Sequence, residues 1–100
     1  MIYITQLIYI KDGQEVIFHQ FEDLAIPLME KYQGRLIYRL RPDEHAFITA
    51  NEEIPYEIHF LSFPSEEDLQ AFMSDKSRND FLHLKEESVR AMLLVKGEKM

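Results

Sequence analysis

Cysteine is absent from this chain, which excludes disulfides, thiolate nucleophiles and cysteine-ligated metal. Basic residues are few: 11 Lys and Arg stand against 18 Asp and Glu, for a formal net charge of -7. Nucleic-acid affinity rests largely on Lys and Arg releasing counterions from phosphates, so no nucleic-acid partner is expected. The one tight basic grouping, Arg35, Arg39 and Arg41, lies in a strand-like run and is too small for a phosphate track. There is no glycine-rich phosphate loop, no G-x-S-x-G nucleophile elbow and no zinc signature. No apolar run approaches the length that crosses a bilayer, and Met1 leads straight into strand-like residues without the marks of a secretory leader. A soluble cytoplasmic protein with no membrane partner is the expectation.

What the chain has is hydrophobic residues, at 46%, and aromatics, at 12%, in 100 residues. That is enough to build one core, so residues 1–100 are read as a single compact domain. Ile2 to Ile10 is dense in β-branched and aromatic residues and reads as a strand. Asp12 and Glu15 have the spacing of a capping box, which predicts a helix from about Gly13 to Tyr32. Phe18, Phe21, Ala25, Leu28, Met29 and Tyr32 form its apolar stripe. Pro27 predicts a kink or an end to the first helical segment, and Gly34 is placed as a C-cap.

Arg35 to Arg41 alternates and reads as a second strand, followed by a polar, acidic loop from Pro42 to Ile54 with room for a short extended piece at Ala46 to Thr49. Pro55 to Phe63 is the third strand. Ser65 with Asp68 and Ser77 with Asp80 both fit the S-x-x-D cap, predicting two short helical pieces with apolar stripes Leu69, Phe72, Met73 and Phe81, Leu84. Val89 to Lys96 is the last strand. The order β-α-β-β-α-β gives a four-stranded antiparallel sheet with its helices on one face, the ferredoxin-like α+β arrangement.

Helices on one face leave the other uncovered, yet the strands are apolar on both. Ile4, Ile8 and Ile10 oppose Tyr3, Leu7 and Tyr9; Ile58 and Phe60 oppose Leu61 and Phe63; Ala91, Leu93 and Val95 oppose Met92 and Leu94. An open antiparallel face is normally polar. Four such strands present roughly 380 Å² before side-chain relief, and a patch of that kind left wet invites aggregation. A second copy packed on this face as a two-fold homodimer is the expectation.

The stretch YQGRLIYR, Tyr32 to Arg39, together with FPSEEDLQAFMSDKSRNDFLHLKEESV, Phe63 to Val89, resembles an uncharacterised dimeric α+β barrel family that carries a domain of unknown function. That family shares a ferredoxin-like superfamily with antibiotic-biosynthesis-type monooxygenases, muconolactone isomerases and chlorite-dismutase-type haem proteins. The resemblance implies a dimeric α+β barrel with a cleft in each protomer. If the chain is an enzyme, it implies a monooxygenase or isomerase that works without a cofactor.

Polar residues among the apolar ones are the site candidates. By strict alternation Arg39 shares a face with Ile37, Glu57 and His59 share one with Leu61, and Arg90 shares one with Met92 and Leu94. If that face lines the barrel, Arg39, Glu57, His59 and Arg90 converge on an apolar cleft with Tyr3, Thr5 and Tyr9. Arg39 would hold a carboxylate or enolate, with Arg90, Tyr3 and Tyr9 as further ligand contacts. His59 would shuttle a proton, with Glu57 orienting it or acting itself. The competing reading is structural: Arg39, Arg90 and Glu57 as ion pairs and His59 as a satisfied core histidine. Glu15, His19, Glu22 and Asp23 sit at helical spacing but read as a charged helix face, not a metal site. His45 and His83 read as solvated. No metal or cofactor is expected. Two functions stay open: a module that binds or transforms a small anionic or aromatic molecule in the cleft, and a non-enzymatic dimeric module whose barrel is filled by its own side chains.

Overall fold

The computed structural model describes residues 1–100. Strands β1 (Ile2–Ile10), β2 (Arg35–Leu40), β3 (Glu57–Phe63) and β4 (Val89–Gly97) alternate with helices α1 (Glu15–Lys31), α2 (Glu66–Met73) and α3 (Lys76–Ser88). The sheet order is β2-β3-β1-β4 with all pairings antiparallel. This is the expected ferredoxin-like topology. No helix is long and apolar enough to cross a membrane.

The helix-facing side of the sheet carries Ile4 and Ile8 from β1 and Leu61 and Phe63 from β3, all buried. They pack in two clusters. Ile4, Leu61 and Phe63 meet Met29 and Leu69, while Ile8 meets Phe18, Phe21 and Ala25. In the register, Gln6 opposite His59 falls between Ile4 opposite Leu61 and Ile8 opposite Glu57. A polar seam therefore divides the apolar core.

Several local expectations change. Helix α1 begins after Gln14, with no side-chain cap; Asp12 precedes a turn at Gly13, whose φ of 77° a side chain would resist. Pro27 does not end the helix: it and Asp23 are both exposed, so the carbonyl deprived of its donor lies on the wet side. The left-handed residue after α1 is Gln33, at φ 66°, not Gly34. Gln33 N–H bonds Glu30 and Gly34 N–H bonds Met29, the pair of contacts of a Schellman motif. Ser65 caps α2 as expected, accepting from the N–H of Asp68. Helix α3 is capped by Asp75, which accepts from Ser77 N–H, and not by Ser77. The acidic loop holds a 3-10 turn, Glu44–Ala46, and no extended piece.

Gly34 is required by space and not by conformation. A Cβ built there falls 2.8 Å from two ring atoms of Phe63 and closer still to Met29, both fully packed core residues. Gly34→Ala is expected to cost about 1–3 kcal/mol by overpacking, read as a lower midpoint in chemical denaturation with an unchanged m-value.

Two irregularities decide which charged side chains reach which face. In β2 the pairing passes from Leu36 opposite Leu61 to Tyr38 opposite Phe60, leaving Ile37 as an extra residue. In β4 it passes from Ala91 opposite Tyr9 to Val89 opposite Ile10, leaving Arg90 extra. Each bulge resets the alternation of its strand.

Candidate functional site

Helix α1 carries Phe18, Phe21, Glu22, Ala25 and Met29 on its buried side. Glu22 thus falls within the apolar stripe and is delivered into the core. Opposite it, alternation along β3 sends Glu57, His59, Leu61 and Phe63 to the helix side. The bulge at Ile37 brings Arg39 to this side as well, opposite His59.

Three ligating atoms meet there. His59 Nε2 lies 2.6 Å from Glu57 Oε2 and 2.7 Å from Glu22 Oε2. The other carboxylate oxygens are held by arginines: Arg39 donates to Glu22 Oε1 at 2.6 Å, and Arg41 donates to Glu57 Oε1 at 2.7 Å. Arg39 Nε also stands 3.3 Å from Glu57 Oε1. Glu57 is fully buried and Glu22 and His59 nearly so. Two carboxylates facing one imidazole nitrogen at hydrogen-bond distance require at least one proton between them, because no pair of bare lone pairs is stable so close.

The titrations follow from these contacts. Burial pushes the Glu22 carboxyl up, and the neighbouring Glu57 charge adds to the rise against the pull of His59. For Glu57, burial is outweighed by hydrogen bonds from His59 and Glu22 and by the His59 and Arg39 charges, so it is held well below the ordinary carboxylate range. Burial alone would depress His59, but the two carboxylates raise it above its ordinary value. Arg39 is likewise raised by Glu22 and Glu57 against burial. The contacts thus shift Glu22 and His59 toward holding a proton and Glu57 toward staying ionised.

Glu22, Glu57 and His59 are also the one group of side chains whose ligand atoms gather closely enough to contact a metal, within 4.8 Å of one another. Their spacing argues for protons. Separations of 2.6 and 2.7 Å are hydrogen-bond lengths, shorter than the roughly 3 Å between cis ligands about an ion bound at ~2.1 Å. Two arginines already neutralise the two carboxylates, so a dication would leave buried positive charge uncompensated.

The seam opens on a cavity of about 120 Å³ between helices and sheet. Ala25, Leu61, Phe63 and Phe72 contribute apolar wall; His59 and Glu22 border it, as do Arg78 and Lys85 from α3. Arg39 and Glu57 do not line it and act from behind.

The expected convergence of all site candidates does not occur. Arg39, Glu57 and His59 come together, but Arg90, Tyr3 and Tyr9 lie on the other face of the sheet. The bulge carries Arg90 outward, where it pairs with Glu53 at 2.5 Å and lies over the ring of Tyr9 at 5.6 Å. Tyr3 stacks on Phe60, which stacks on Tyr38, at 5.7 and 6.1 Å. Thr5 lines a hollow on that face together with Tyr3, Tyr38 and Phe60. Arg39 is not free for a ligand, because Glu22 and Glu57 occupy it. His19 leaves the charged helix face to meet the Tyr56 hydroxyl at 2.6 Å. His45 and His83 are exposed, as expected.

Sequence reasoning missed Glu22, Arg78 and Lys85. Their signal was positional: Glu22 lies four residues after Phe18 and three before Ala25, and Arg78 and Lys85 flank Phe81 at helical spacing. A charge on an apolar stripe is carried inward with it.

No protein-family profile matches the chain, and no curated protein does. Solved structures do. A protein of unknown function from Rhodopseudomonas palustris superposes with a TM-score of 0.85 at 11% identity, over 99% of this chain and 82% of that one. An uncharacterised NIPSNAP-like domain protein from Burkholderia xenovorans gives 0.72 at 13% identity, over 99% and 84%. A dimeric protein of unknown function and ferredoxin-like fold from Bacteroides fragilis gives 0.69 at 13% identity, over 98% and 95%. At these identities the likeness is one of fold. The chain has the ferredoxin-like α+β fold, and its structural neighbours are uncharacterised NIPSNAP-like and ferredoxin-like proteins, in keeping with the uncharacterised ferredoxin-like group that its sequence resembles.

Proposed function

We propose that the protein binds a small organic molecule between its helices and sheet and moves a proton on it through His59 and Glu22, with Glu57 as their fixed counter-charge. The observation that carries this reading is the cavity of about 120 Å³ whose apolar wall is interrupted by two proton-sharing groups. Pockets of that make, with a few convergent polar groups of shifted pKa, are the usual small-molecule sites. The volume is of the same order as the ~150 Å³ of an apolar cavity that binds benzene, which limits a ligand to one small ring or a short unsaturated chain. The raised value at Glu22 moves that carboxyl toward the pH range where general acid–base catalysis works best, beside an imidazole whose ordinary value of 6.5 already lies near it. Of the two reaction types implied by the resemblance, isomerisation by proton transfer is the one these residues support without a cofactor.

Ala25→Leu, which places a larger side chain into the cavity wall, tests the reading. Small aromatic and unsaturated acids and amides are expected to raise the melting temperature of the native chain and to leave Ala25→Leu unmoved. Equal shifts in both proteins would place binding elsewhere and sink the proposal. The alternative, a non-enzymatic module with a side-chain-filled barrel, expects no shift in either.

The same reading includes a homodimer of α+β-barrel type through the open sheet face. The accessible surface of 6715 Å² exceeds by about 700 Å² the value expected of a monomer of this mass, close to the ~800 Å² each partner buries in a standard interface. Tyr38, Leu93 and Val95 on this face are more than half exposed, and one structural neighbour is described as dimeric. Sedimentation at micromolar concentration is expected to give twice the mass of 12.0 kDa, reduced to one copy by Leu93→Asp with Tyr38→Asp. A native chain that sediments as a monomer would refute this part.

A further inference from the structure

Arg78 is buried, at 8% exposure, yet it makes no ion pair and no side-chain hydrogen bond, and its Nε is left without a partner. Every other arginine drawn to the core side is paired: Arg39 with Glu22 and Glu57, Arg41 with Glu57. The guanidinium of Arg78 lies 5.6 Å over the ring of Phe72, a contact that fixes its plane without neutralising its charge. Burial alone pulls it below the ordinary arginine value. Lys85, two turns along α3, borders the same cavity and is pulled down by burial and by the Arg78 charge. Two cations without an ion pair in the chain thus line one apolar cavity, which Glu22 and His59 also border.

An unpaired buried charge is costly, and an anion from outside the chain would offset that cost. We infer that Arg78, assisted by Lys85, is the anchor for the carboxylate of a small organic acid, which thereby presents its carbon frame to His59 and Glu22. The planar fork of Arg78 suits bidentate capture of a carboxylate, and Lys85 supplies a second, movable donor. The cavity volume of about 120 Å³ limits the acid to a single ring or a few carbons. This assignment rests on the ligand reading above and narrows it from small organic molecules to small carboxylates, with Arg78 in the role first expected of Arg39.

The test compares benzoate with benzamide and crotonate with crotonamide, pairs of near-equal shape that differ in charge. Binding is measured by calorimetry and thermal shift on the native chain, Arg78→Met and Arg78→Lys. The acids are expected to bind the native chain at least tenfold more tightly than their amides. Arg78→Met is expected to abolish that preference while melting no lower than the native chain, because it removes an uncompensated charge and keeps an unbranched side chain. Arg78→Lys, which keeps charge without the fork, is expected to retain part of it. Amides that bind the native chain as well as the acids would overturn the anion anchor and leave the cleft reading standing. Failure of both acids and amides to bind would overturn both. An Arg78→Met protein that melts lower and keeps the preference for acids would show Arg78 to be a packing residue only.

Discussion

Glu57→Ala is expected to lower the melting temperature by more than about 12 °C, the largest effect of any single substitution in the cluster. Glu57 is fully buried and accepts from His59 and Arg41, with Arg39 close by. Its removal leaves two arginines and an imidazole facing a hole. Breaking a buried ion pair by deleting one partner costs about 3–5 kcal/mol, and each 1 kcal/mol moves the midpoint of a chain this size by about 4–8 °C. Glu57→Gln keeps the shape but replaces an acceptor by an amide donor, so it too is expected to fall clearly below the native protein. Glu22→Gln behaves differently. Glu22 Oε2 has no full hydrogen-bond partner, and burial shifts its carboxyl toward the protonated form. An amide there can donate where the acid proton sits, so the expected loss is under about 1 kcal/mol, within the range for an exchange of near-equal hydrogen bonds. The contrast between two glutamates bonded to one histidine is read by thermal denaturation of the three variants in one buffer. Equal losses at the two positions would refute the division of roles between fixed anion and proton carrier.

Much of this fold is legible in the sequence because its periodicities are clean. Alternation in Ile2 to Ile10 and in Glu57 to Phe63 separates the two faces of β1 and of β3, and Ser65 marks the start of α2 through its hydroxyl. Alternation within one strand does not say which faces coincide, and in the fold Glu57 and His59 join Ile4 and Ile8 and not Tyr3 and Tyr9. The bulges at Ile37 and Arg90 are different. Each adds one residue without a glycine or proline to announce it, and one added residue exchanges the faces of all that follow. That exchange delivers Arg39 to His59 and withdraws Arg90 from it, so two arginines that look alike in alternation end on opposite sides of the sheet. The charged residues of the cavity were hidden for another reason. Glu22, Arg78 and Lys85 occupy stripe positions of their helices, and a reading that collects only apolar residues on a stripe passes over them. The burial of Glu22 is tolerated through specific partners, and partners contributed by β2 and β3 are not visible from the spacing within α1.

The second large effect is a loss of stability as pH rises through neutrality. His59 is raised above its ordinary 6.5, so its contribution is complete below that pH and is lost as pH climbs through the folded value. Glu22 is raised above 4.5; its protonated form is favoured in the fold, so it too contributes on the acid side and loses that contribution as pH rises. Glu57 is lowered from 4.5, which gives stability that is present above 4.5 and lost only as pH falls toward its folded value. The three together place the maximum between the ordinary values of 4.5 and 6.5, with loss on the alkaline side set by His59 and Glu22 and on the acid side by Glu57. The melting temperature is therefore expected to fall between pH 5.5 and 8.5 at fixed protein concentration. His59→Gln is expected to flatten that fall, since it removes the group whose raised value sets the alkaline limb. His19→Gln serves as the control, because His19 lies outside the cluster against Tyr56, and it is expected to keep the native slope. A native melting temperature that is level or rising from pH 5.5 to 8.5 would mean that the cluster holds no extra proton near neutrality, and the proton-transfer reading of the site would fall with it.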